Sequence, residues 1–220
     1  MTPQRALLFA IFAAVGVGFA GGEIARAGFV AIAAFVVFVA GWWLVDRRFE
    51  AQRWWRRAVN PLLLESPFTQ PWRVVAGGPD PRHNHHQSTS DQYFAYDFLS
   101  VEGGTFEYDV LSPCDGTIAW SEERRDDAWL SIETPRGFVI MAHLAKGSIT
   151  VRIADRITVR TPLAKCASLH IHAQDRPHLA EGIAKAVPIA FFDEHGVAQV
   201  LEYGDVLQPA TAASPAQNQR

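Results

Sequence analysis

Apolar and polar positions divide the chain into three regimes. Residues 6–22 and 27–45 are free of charge and apolar throughout, parted by a short turn that carries Glu23 and Arg26. The second stretch runs nineteen residues, long enough to cross a bilayer as a helix. The first is shorter and rich in Gly and Ala, which lets helix backbones approach closely. Together they predict a transmembrane helical hairpin, and a cleaved signal peptide would not be followed at once by a second apolar run. Beyond Asn60-Pro61 the pattern changes to short runs rich in β-branched and aromatic residues, broken by Gly, Pro and Asp. These runs predict strands at 72–76, 94–99, 116–120, 129–134, 138–143, 148–152, 169–173, 189–192 and 197–202. Turns are expected at Pro135-Arg136-Gly137 and Glu194-His195-Gly196. Many short strands without a long amphipathic helix predict a mostly β fold, a compact antiparallel β-sandwich-like domain over residues 59–207. The small, polar residues 208–220 read as a disordered tail.

Residues 1–58 are thus expected to be a membrane anchor, and its last part sharpens that picture. Trp42, Trp43, Trp54 and Trp55 alternate with Arg47, Arg48, Arg53, Arg56 and Arg57, an aromatic and cationic belt suited to the headgroup level. The positive-inside rule places those arginines, and the domain behind them, in the cytoplasm. Composition adds mainly exclusions. With 49% hydrophobic residues the 220-residue chain has ample material for a core. Its net charge of −3 and the lack of a Lys/Arg face interleaved with aromatics in the β region argue against a nucleic-acid partner. The run Glu122 to Asp127 is a solvated hairpin tip of mixed charge.

The candidate chemistry lies in histidines. Period-two spacing puts His170 and His172 on one face of their strand, with Leu169 and Ile171 on the other. His85, His86, Asp97 and His143 supply further nitrogen and carboxylate groups. Zinc in a hydrolytic site takes three such ligands and leaves a fourth position for water. His83, His178 and His195 fall in loops and read as solvated residues.

The surrounding words, over residues 72–203, resemble the lysostaphin-type (LytM-like) zinc endopeptidases, many of which cut peptide bonds in bacterial peptidoglycan. The carriers are Gly77-Gly78 with Asn84-His85-His86, Gln92 to Phe98, Ser112-Pro113-Cys114-Asp115-Gly116-Thr117-Ile118, Ala142-His143-Leu144 with Gly147-Ser148-Ile149, and Leu169 to Asp175. Their order is more specific than any one of them. The resemblance implies zinc on His86, in preference to His85, on Asp97 and on His170, with His143 a catalytic imidazole beside the metal.

One position departs from the family. The first His of its HxH motif, a second catalytic imidazole, is Ser168 in this register, and the Gly- and Ser-rich loop before it is shortened to Cys166-Ala167. A serine hydroxyl cannot shuttle protons near neutral pH. A second register makes His170 the catalytic imidazole and His172 the ligand, shifting the ligand roughly 7 Å along the strand; otherwise His172 stands in for the missing imidazole. Cys114 and Cys166 are either a disulfide, which favours an oxidising setting, or two buried thiols. The resemblance therefore implies a zinc-dependent peptidase-like protein of the bacterial cytoplasmic membrane, its domain extracytoplasmic and facing peptidoglycan. The alternative is a degenerate binding or regulatory module at the cell envelope.

Overall fold

The computed structural model describes residues 32–39, 41, 60–103, 107–125, 127–178 and 183–209. The chain divides into two units, 1–50 and 51–220. Of the first, residues 32–39 are helical and expose Phe35, Val37 and Phe38. The rest of the expected hairpin, the Trp/Arg belt and the tail from 210 onward lie outside the described residues. Among the described residues no helix is long and apolar enough to cross a membrane.

Among the described residues, apart from one short 3-10 turn at His85–Ser88, the regular structure of the second unit consists of strands. They are β1 (Leu62–Leu64), β2 (Trp72–Ala76), β3 (Tyr96–Ser100), β4 (Tyr108–Leu111), β5 (Gly116–Glu123), β6 (Ala128–Thr134), β7 (Gly137–Leu144), β8 (Arg156–Ile157), β9 (Pro162–Cys166), β10 (Ser168–Gln174), β11 (Ala186–Val187), β12 (Ile189–Phe192), β13 (Ala198–Gln199) and β14 (Val206–Leu207). The main sheet runs β14-β2-β3-β10-β7-β6-β5-β8, with β11 added to β10. Smaller sheets, β1-β12-β13 and β4-β9, complete the set. Among the described residues every strand pair is antiparallel except β1 with β12.

Alternation decides which side of the main sheet is the core. On one face Tyr96, Phe98, Ile118, Leu130, Ile132, Val139, Met141, Leu169 and Ile171 join a single buried cluster with Leu64, Val110, Leu163, Ile189 and Phe191 of the smaller sheets. Phe191 meets Tyr96 and Phe98 edge-on, with ring centroids 5.5 and 5.7 Å apart. The sandwich-like expectation thus holds, as sheet packed on sheet. The opposite face of the main sheet carries a second, smaller cluster of Trp129, Ile140 and Ala142 with Phe138.

Two expectations need correction. Residues 148–152 form no strand; the Thr150 amide donates to the Leu163 carbonyl, which ties them to β9 without a ladder. The strand expected at 197–202 shrinks to Ala198–Gln199, at the edge of its sheet, because the Asp193 carboxylate takes the Val197 amide and the Asp205 carboxylate that of Glu202. Of the two readings open for Cys114 and Cys166, the structure has the buried free thiols, pushed up to about 12 by burial.

Candidate metal centre

Asp97 on β3 lies directly across from His170 on β10 in the antiparallel ladder, so the two side chains share a face. His170 Nδ1 is 2.7 Å from Asp97 Oδ1. The third group comes from a loop. Asn84 donates through Nδ2 to the Gly78 carbonyl and accepts from the His86 amide, and so fixes the 3-10 turn His85–Ser88 over the sheet. That turn brings His86 Nε2 to 3.0 Å from Asp97 Oδ2. Asp97 is therefore gripped on both oxygens by imidazoles that are almost fully buried.

The environment sets the charge states. Burial alone would raise Asp97, but hydrogen bonds and charge from His170 and His86 outweigh it and hold the carboxyl well below the usual carboxylate range. Burial pushes His170 down, against the pull of Asp97. An ionised carboxylate beside neutral imidazole is the state a metal needs. Two nitrogens and one oxygen also make a donor set suited to zinc with an open position. His85 is a further candidate, since one ligand atom each of His85, His86 and Asp97 lie within 4.8 Å of one another. Its ring is tilted against that of His86 at 3.9 Å and is largely exposed.

His143 reaches the same face by a backbone irregularity. The β6–β7 register shifts between Ala128 and Leu130, and His143 takes a positive φ of 63°. Strict alternation would turn it away from Ala142's face; the bulge turns it back, to a ring distance of 6.0 Å from His170. It is half-exposed, and its Nδ1 lies 3.6 Å from Asp127 Oδ2.

His172 cannot serve as the stand-in imidazole. It is completely buried, its Nδ1 is 2.9 Å from His170 Nε2, and its Nε2 is 3.0 Å from Gln174 Oε1. Burial, helped by the nearby His170, pushes it down to about 3. Ser168 sits opposite Leu99, two residues from His170 on the same face. The structure thus brings together His86, Asp97, His170 and His143, and hides His172 behind His170. Two contributors went unassigned from sequence. Gln174 continues the alternation 170, 172, 174 and could have been found that way. Asp127 reaches His143 only through the bulge, which leaves no signature in the sequence.

No protein-family model matches the chain, and no curated protein does. Among solved structures the chain is similar to a chain of the SpoIIQ–SpoIIIAH pore-forming complex, at 12% identity over 58% of this chain and 89% of that one, with a TM-score of 0.41. It is also similar to the deep-sea M23 metalloprotease pseudoalterin, at 14% identity over 58% and 75%, TM-score 0.39. A zinc-containing peptidase from Vibrio cholerae aligns at 16% identity over 59% and 40%, TM-score 0.32.

Proposed function

We propose that this chain is a zinc-dependent, lysostaphin-type peptidase-like protein that hydrolyses peptide bonds of peptidoglycan slowly, with His86, Asp97 and His170 holding the metal. The observation that carries this is the grip of buried His86 and His170 on the two oxygens of Asp97. Zinc bound there would supply Lewis acidity and a water of lowered pKa. Around it, His143 is the imidazole with the exposure to meet a substrate and exchange a proton with it, and the Asp127 carboxylate lies nearby, 3.6 Å from its Nδ1. Ser168 lacks that capacity, which is why turnover is slow. Metal analysis of the purified chain, followed by peptidoglycan digestion with and without chelator, tests the reading. One zinc per chain and slow, chelator-sensitive release of peptide fragments are expected; a chain without bound zinc overturns it.

A second reading is a binding or regulatory module at the cell envelope. The burial of His172, which leaves no replacement for Ser168, favours it. It predicts zinc and co-sedimentation with peptidoglycan but no cleavage.

The apolar stretches 6–22 and 27–45 support anchorage in the bacterial cytoplasmic membrane, with the β domain outside, where peptidoglycan lies. The juxtamembrane arginines oppose that orientation. A fluorescent protein that fails to mature after export, fused after Leu207, should stay dark. Bright fusions would place the domain inside and remove peptidoglycan as substrate.

A further inference from the structure

The row Asp97, His170, His172, Gln174 is a chain of hydrogen bonds with a fixed direction. At its far end the Gln174 amide nitrogen donates to the carbonyls of Arg176 and His178, at 2.9 and 2.8 Å. Both N–H bonds are spent, so Oε1 is the atom turned to His172 and it can only accept. His172 Nε2 must therefore carry the hydrogen across the 3.0 Å contact. A neutral imidazole has one N–H, which leaves His172 Nδ1 an acceptor, and His170 Nε2 must donate to it across 2.9 Å. His170 Nε2 is thereby committed as a donor, and Nδ1, 2.7 Å from Asp97 Oδ1, is the nitrogen left to carry either a proton or a metal.

We propose that His172 and Gln174 are positioning residues that lock His170 in the tautomer with Nε2–H, so that Nδ1 is the atom offered to the metal. This rests on the metal reading above and assigns to His172 a role other than ligand or catalyst. A metal ion held by Nδ1 and Asp97 would take the place of the proton between them. The opposite tautomer would satisfy Asp97 but set two lone pairs against each other between His170 and His172, both buried, where an unmade hydrogen bond is costly. A ligating His that donates through its other nitrogen is held in orientation and made more basic.

The test uses the full 220-residue chain in detergent, labelled with 15N-histidine and titrated with zinc against a competing chelator. His170 should be metal-bound at Nδ1 with a protonated, slowly exchanging Nε2. Gln174→Met, which removes the acceptor at similar size, should weaken zinc binding about ten- to hundredfold and let His170 sample both tautomers. Zinc bound through His170 Nε2, or unchanged affinity in Gln174→Met, overturns this inference alone. A wild-type chain that takes up no zinc overturns the metal reading with it. Should Gln174→Met not fold, the nitrogen spectrum of the wild-type chain decides.

Discussion

At the scale of single residues the centre trades stability for readiness. Buried His170 and His172 stay neutral, and Asp97 stays ionised between partners. For the two histidines the folded-state pKa lies below the unfolded value of 6.5, so the unfolded chain takes up protons first as pH falls. Their stabilisation is complete above about pH 6.5 and drains away as pH falls, for His172 toward about pH 3, at up to about 1.4 kcal/mol per pH unit for each ring. Asp97, also depressed, adds to the loss only below the ordinary carboxylate value of 3.8. Denaturant unfolding of the metal-free chain should show this decline beginning near pH 6.5. A flat profile from pH 7 to 4 would mean that the rings are more accessible than their burial implies. His170→Ala removes the ligand opposite Asp97 and should abolish zinc retention through dialysis; a variant that keeps stoichiometric zinc would move the site to His85, His86 and Asp97.

At the scale of elements, β10 shows what a sequence discloses and what it cannot. Its alternation correctly puts Ser168, His170, His172 and Gln174 on one face and Leu169 and Ile171 in the core. That pattern suggests an open histidine face, yet His172 is as buried as Ile171. The reason is position: β10 lies in the middle of the main sheet, and the carbonyls of Arg176 and His178 turn back over its second face to hold Gln174. Alternation is equally silent on cross-strand partnership, since Asp97 meets His170 through register over a separation of 73 residues; only the resemblance paired them, as ligands of one metal. Local signals fared better. The turn at Pro135-Arg136-Gly137 joins β6 to β7 as expected, and Gly137 is required there, with φ of 133° and room for no Cβ, which would fall 2.7 Å from the Gln174 carbonyl oxygen. Gly137→Ala should therefore lower stability by about 1–3 kcal/mol and, by pushing the end of β10, weaken zinc binding as well. Thermal unfolding with and without zinc measures both; an unchanged melting temperature would mean that the hairpin relaxes without moving β10.

At the scale of the whole molecule, the question is whether a chain with the proposed ligands His86, Asp97 and His170 also turns over substrate. His143 is in place beside His170, but the position across from Leu99 that the resemblance reserves for a second imidazole holds Ser168. A single general acid-base group contributes about a hundred- to ten-thousand-fold in rate. His172 does not replace it, because it has both nitrogens engaged and no exposure. Ser168 itself is partly exposed and shares the face of His170, so a longer side chain there can reach solvent rather than the core. Ser168→His should then raise peptidoglycan cleavage by about a hundredfold or more with zinc content unchanged, and His143→Ala in that background should remove the gain. Zinc bound in both proteins with no cleavage in either would locate the deficit in the shortened segment Cys166-Ala167, where the substrate groove is incomplete, and would establish the chain as a metal-bearing binding module.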